Sequence, residues 1–491
     1  MTTTEPAPDL TRPVRPEPLG TTVRLGVRRS LLRAGPAGRP VLLPGWPLVV
    51  LLAGYPLWWV LGLATLGFLI VAIPMAYYLL RLPVIRVPRG FGLWLLFLGW
   101  VAAGVTTLWA EAPGAKDVAG LGRLIPFSYR VVWYLAVTIL LLYIGNTDER
   151  TLPSRRIIRL LAWLFIITVI GGYAGKFFPT LEFSSLVEVV LPNALAQNQL
   201  VQIVAHPATA QVQDILGYDL ARPMAPFSYA NDWGANFGLL LPFFVLGWWI
   251  NDSGWRHKTF PVLALVALPP VIFTLNRGLW LGLAAMAVYL VIRFALQGRV
   301  RMVATLVAAG LLAGLMIAVS PLGQLLTERL ANPHSNQGRE QVAERAVSAT
   351  LHGSPALGFG APREVQGTFF SIAGAPTPSC PECRPPQLGT QGHLWLLIFA
   401  HGFVGAALFI GFVFFRFWRG LRDPTPTGLA LTSVGVFLAV VAVVYDLVSP
   451  SLAIIAITLG LLWRREHEPP ADTDSPPQQL QLAAGIERSP R

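Results

Sequence analysis

Residues 393–415 read HLWLLIFAHGFVGAALFIGFVFF. The run contains no Asp, Glu, Lys or Arg, and at about 1.5 Å per residue it is long enough to cross a ~30 Å hydrocarbon core as one α-helix. A helix closes its own backbone hydrogen bonds, so it is the element expected to span lipid. Runs of the same kind recur at 42–59, 61–80, 91–109, 130–145, 158–176, 233–250, 259–275, 278–296, 301–320, 426–445 and 450–463. With the opening stretch they predict about twelve spans. The chain is 54% hydrophobic and only 13% charged, which excludes an ordinary soluble domain of this length. No alternating strand pattern points to a membrane β-barrel. The expected fold class is therefore all-α, a polytopic membrane protein.

The net charge of +12 invites a nucleic-acid reading, but its distribution argues against one. Basic residues gather in alternate loops: Arg24 to Arg39; Arg81, Arg86 and Arg89; Arg155, Arg156 and Arg159; Arg256 and Lys258; Arg293, Arg299 and Arg301; Arg416, Arg419 and Arg422; Arg464 and Arg465. All fall on one side if the N-terminus is inside, as the positive-inside rule requires. Both termini are then expected in the cytoplasm, with no nucleic acid as partner. Residues 1–40 form a basic, Pro-rich tail without the apolar core of a signal peptide. Residues 41–465 form the membrane domain, and 466–491 a polar, Pro-containing tail expected to be disordered.

This orientation leaves three longer segments outside: 110–129, 177–232 and 321–392. Long loops in a compact bundle are usually functional or disordered. In the third, Asn336 to Leu351 has helical spacing, with Val342, Ala346, Val347 and Ala349 set against Arg339, Glu340, Glu344 and Arg345. It predicts an extracytoplasmic helix over the bundle or flat on the membrane. Leu186 to Ile203 is a second candidate helix. The only cysteines, Cys380 and Cys383, lie in the third segment. Outside the cytoplasm a disulfide closing a tight turn is the default, with two free thiols next. A zinc site ranks last, because two ligands do not complete a tetrahedron.

Ionisable groups stand at the outward helix ends in four places. Arg222 lies in RPMAPFSYANDWG, Arg277 in TLNRGLWLG, Arg339 and Glu340 open the loop helix, and His393 opens the stretch first quoted. Each has a plain alternative. Arg277 can snorkel to headgroups, Arg222 can pair with Asp219 or Asp232, and Arg339 can pair with Glu340 or Glu344. A lone interfacial His is commonly structural, and His401 is expected to pack as a polar residue bonded to a neighbouring helix. Taken together, three guanidinium groups and one imidazole at one membrane level suit a different task. Guanidinium forks bind phosphate oxygens bidentately, and His accepts a proton near neutral pH. That combination fits a lipid-linked pyrophosphate leaving group and a hydroxyl nucleophile. No outward cluster has metal-ligand spacing and no Walker motif exists, so neither a metal, an ATP site nor any other cofactor is expected. Gly358-Phe-Gly360 is a lone GxG, expected to serve a turn.

Over residues 220–415 the chain resembles the O-antigen ligase family and its relatives, the Wzy-type polymerases. RPMAPFSYANDWGANFGLLLPF is similar to the family's Arg-containing stretch with an Asn ahead of a span, and TLNRGLWLGL to its (S/T)-R-G motif. GREQVAERAVSATLHGSPALGFG resembles its periplasmic loop pattern, and GHLWLLIFAHGFVG its His-containing motif. Two positions depart from the pattern: Leu394 stands where Asn is usual, and Asn276 where Ser or Thr is common. The resemblance implies a metal-independent, GT-C-like glycosyltransferase in the bacterial cytoplasmic membrane. It would carry a glycan from a polyprenyl-pyrophosphate donor to a glycan, lipid or protein acceptor on the outer face. By that analogy His393 is the candidate base, and Arg222, Arg277 and Arg339 hold the pyrophosphate. Ligase and polymerase share these motifs. A transporter or flippase is the alternative, and a membrane scaffold a third.

Overall fold

A computed structural model describes residues 22–23, 44–116, 121–196, 199–214, 219–331, 334–366, 387–447 and 450–467. Apart from Thr22–Val23, which pairs with Ile85–Arg86, and the start of the C-terminal tail, the two tails lie outside the described residues, as do Cys380 and Cys383.

Within them the chain is mostly helical, with few strands. Seven helices are long and apolar enough to cross a membrane: Leu121–Asn146, Ser154–Phe177, Ala230–Ile250, Arg277–Leu296, Val300–Ala318, His393–Gly420 and Pro426–Val444. Gly67–Leu80 and Phe91–Thr107 are apolar but shorter. The remaining expected spans are interrupted or end in charge. The first divides at Gly54 into Trp46–Ala53 and Tyr55–Val60, the second piece opening on a proline. The seventh divides at Ala267 into Trp255–Val266 and Leu268–Phe273, again with proline at the restart. Proline lacks the N–H that would continue the ladder, so these breaks follow from composition. Pro450–His467 ends in Arg464, Arg465 and His467.

Aromatic packing holds the bundle centre. Phe165 stacks on Phe244 at 4.6 Å and Trp233 on Phe237 at 5.1 Å, all buried. In lipid such contacts work by close packing, because tails are as apolar as the side chains. At the basic ends of the helices, ion pairs tie neighbours together. Arg416 and Arg419 meet Glu466, Arg464 meets Glu149 at 3.1 Å, and Arg465 meets Asp423 at 2.7 Å.

At the opposite ends lies a layer of short elements. The expected helix over 186–203 is interrupted after Leu186–Val190, because Pro192 restarts the chain, and helix is described again over Asn193–Ala196 and Gln199–Ala205. Ser185 and Glu188 form a capping box at its start. An antiparallel hairpin, Ala210–Asp214 with Asp219–Pro223, follows where no strand was expected. The loop helix runs His334–Gly353, longer than predicted, and a further helix, Pro321–Ala331, precedes it. Val342, Ala346 and Ala349 pack with Phe359, Val365, Leu388 and Phe399, so its apolar face is seated on the bundle.

Candidate anion-binding site

The turn Thr274–Gly278 is the foundation. Leu275 takes φ 51°, an uncommon conformation for a side-chain-bearing residue, and Asn276 then opens the Arg277 helix from an extended backbone. Asn276 is buried and fully engaged. Its Nδ2 donates to the Ala230 carbonyl at 2.7 Å, while its Oδ1 accepts from Arg222 Nη2 at 3.0 Å and Tyr445 Oη at 2.9 Å. A Ser or Thr hydroxyl offers the same one donor and two lone pairs but gathers them on a single oxygen, whereas the amide spreads them over two atoms. The departure from the expected motif is thus a working residue here.

Arg222 is carried by the hairpin, opposite Gln211. Only 4% exposed, it donates from Nε to the Thr274 carbonyl at 2.7 Å and from Nη2 to Asn231 Oδ1 at 3.1 Å. Arg277 donates to the carbonyl of Arg329. Arg329, also 4% exposed, donates from Nε to the Leu275 carbonyl at 3.3 Å. Arg339 lies 5.4 Å from the centre of the Tyr445 ring, and Tyr445 Oη accepts from the Gly278 N–H at 2.9 Å. Four guanidinium groups from two of the longer segments and one helix start therefore converge around one tyrosine. Their proximity is felt electrostatically. Burial lowers Arg329 to about 9, and the charges of Arg277, Arg222 and Arg339 push the same way. Arg222 is lowered to about 10 by burial, with Arg339 adding to it. Cations collected in a low-dielectric place are costly without an anion among them.

Asp446 adjoins this cluster. Its carboxylate accepts the N–H groups of Gln391 and Gly392, both at 3.1 Å, and Arg339 and Arg130 lie within its electrostatic reach. Burial nevertheless raises its pKa above the usual carboxylate range. The same contact fixes the next residue, whose N–H donates to the Tyr445 carbonyl at 2.8 Å: His393. The His393 ring is 2% exposed, sits 5.2 Å from the Phe409 ring, and neither ring nitrogen has a hydrogen-bond partner among the described residues. Arg130 lies within reach of both His393 and His401. His401 Nε2 is 3.3 Å from Tyr134 Oη, the interhelical bond expected of it.

The short path from His393 to Phe409 exists because the helix is broken. Gly402 adopts φ 68°, ψ 178°, and a Cβ there would sit 2.0 Å from the Ala356 carbonyl oxygen. The break frees carbonyls at the end of the first half, and the GxG loop takes them up. Phe359 N donates to the Phe399 carbonyl and Gly360 N to that of Ala400, both at 2.8 Å. Gly358-Phe-Gly360 is thus a docking loop for a half-helix, more than a turn.

Arg222, Arg277 and Arg339 come together as described; His393 joins them through its backbone on Tyr445, while its ring faces Phe409 and Arg130. Arg222 and Arg277 bond to carbonyl and amide oxygens, and Arg339 lies against a ring. Sequence reasoning missed Arg329, Asn276, Tyr445, Asp446 and Arg130. Tyr445 and Asp446 close an apolar span with two polar residues, a signal that was present. Among the described residues, no group of three or more His, Cys, Asp or Glu is placed to hold a metal ion. Comparison with protein-family models and with curated proteins finds no match for this chain.

Proposed function

We propose that the protein transfers or polymerises a glycan from a polyprenyl-pyrophosphate carrier onto an acceptor at the outer face of a bacterial cytoplasmic membrane. The observation that carries this reading is the convergence of Arg222, Arg277, Arg329 and Arg339 around Tyr445. Such a cluster suits a dianionic or trianionic diphosphate whose charge grows as the sugar departs, where preorganised donors matter most. In the reaction, the acceptor hydroxyl oxygen bonds to the anomeric carbon and the bond from that carbon to the phosphate oxygen breaks. The electron pair leaves with the polyprenyl diphosphate. The hydroxyl proton passes to His393, whose ring nitrogens are uncommitted, or to Asp446, which lies between Arg339 and Arg130. The reading carries with it the twelve-span, GT-C-like arrangement with both termini in the cytoplasm.

The test is glycan profiling of a deletion strain complemented with variants made at normal level. Arg277→Ala and Arg329→Gln should each lower surface glycan by about a hundredfold, the order of losing one preorganised donor, and accumulate the carrier-linked donor. Unchanged surface glycan in both would overturn the reading.

One observation favours a second reading. The His393–Gly420 helix is broken at Gly402 and its first half opens where Gly392 N–H binds the Asp446 carboxylate; broken helices with charged groups at a half-helix end mark substrate sites of secondary transporters. Counterflow of a labelled lipid-linked or small polar substrate in proteoliposomes would support a transporter or flippase.

A further inference from the structure

A groove lies at the other ends of the helices. It has a volume of about 610 Å³, within the roughly 300–1,000 Å³ of small-molecule sites, and is walled by three helices. Arg159, Trp163 and Ile166 line it from Ser154–Phe177, Trp248 from the turn Val245–Ile250, and Arg256 and Val262 from Trp255–Val266. The Ser154–Phe177 helix runs from this groove to the hairpin: Gly175, near its far end, packs on Pro223, beside Arg222. The groove therefore belongs to the opposite membrane face from the arginine cluster, the face carrying Arg155, Arg156 and Lys258.

Its mouth is cationic in excess. Arg159 Nη2 and Arg256 Nη1 both reach Asp252 Oδ2, at 2.9 and 3.3 Å, so one carboxylate serves two guanidinium groups. Arg155 is held close by, donating to the Asn251 carbonyl. Arg159 Nε is buried without a hydrogen-bond partner among the described residues. Above the charges the lining turns apolar and aromatic. Trp248 and Trp255 meet edge-on at 5.1 Å, and Ile166 lies two helical turns beyond Arg159, about 10 Å deeper. A phosphate on the arginines, indoles at the interface and an acyl-sized apolar slot above them match one amphiphile.

We propose that this groove holds one anionic phospholipid of the leaflet on the basic side. Its phosphate rests on Arg159 and Arg256, and an acyl chain runs along Trp163, Ile166 and Val262. The inference stands apart from the proposed transfer reaction.

The test is native mass spectrometry of the full chain released from nanodiscs containing equal phosphatidylglycerol and phosphatidylcholine. The wild type should retain one phosphatidylglycerol in preference to phosphatidylcholine. The double variant R159Q/R256Q should lose that preference by roughly tenfold or more, as removing two interfacial cations implies. Val262→Trp keeps both charges but fills the slot, and should also shed the lipid. Arg81→Gln removes a cation of the same face that stacks on Tyr77, outside the groove, and should leave retention unchanged. Equal retention of the two lipids, undiminished retention in Val262→Trp, or an equal loss in Arg81→Gln would each overturn the proposal.

Discussion

Asn276 shows how much one side chain can organise. Its amide binds a carbonyl, a guanidinium and a phenol at once, and so aligns the hairpin, the Arg277 helix and the Tyr445 turn. Asp446 gives the sharpest residue-scale test. Its pKa is raised by burial, against the pull of two backbone N–H groups and Arg130. An acid whose pKa is higher folded than unfolded, where it is about 3.9, loses stability as pH climbs from that value through the folded one. Asp446→Asn removes this slope. The difference in Tm, wild type minus variant, should therefore fall as the pH of the detergent solution rises above about 4; a difference independent of pH would count against a disfavoured carboxylate. Arg222, Arg277 and Arg339 were legible because a charge beside an apolar run is conspicuous. Arg329 was not, since nothing local separates it from any surface arginine: only the fold of the Pro321–Ala331 helix brings it under Leu275.

Among the elements, the His393–Gly420 helix departs most from its sequence. Hydropathy reads residues 393–415 as one uninterrupted span, because glycine counts as neutral and a backbone reversal leaves no trace in polarity. The break depends on what Gly402 touches, not on Gly402 alone. Gly402→Ala should destabilise the protein by about 1–3 kcal/mol, the range for forcing a side chain into such a conformation. Gly411→Ala, in the same helix with its nearest neighbour 4.0 Å away, should stay within about 0.5 kcal/mol. Thermal unfolding of the two variants side by side checks this, and equal effects would mean that the kink is not required. The strand pair and the split of 186–203 escaped notice for a similar reason: short elements owe their form to neighbours rather than to periodicity.

For the whole molecule, charge is sorted between the two ends of the bundle. Ion pairs of Arg416, Arg464 and Arg465 gather at one set of helix ends, and the arginine cluster at the other. Cysteine labelling in a background lacking Cys380 and Cys383 tests which end is outside. A membrane-impermeant maleimide should modify Glu340→Cys in intact cells and Arg299→Cys only after lysis, both residues being exposed. The reverse pattern would invert the topology.

The interruption at Gly402 also decides which flank of the bundle must be covered. Non-helical backbone at membrane depth is tolerated only where protein covers it. Here the cover is the Ser354–Gly360 loop, with Trp100 Nε1 donating to the carbonyls of Ala356 and His401 at 3.0 and 3.2 Å. That flank is sealed against lipid. The Arg277–Leu296 and Val300–Ala318 helices are buried over only 17% and 0% of their most apolar windows. These two helices present bare apolar faces along most of their length, with Arg277 standing at one end.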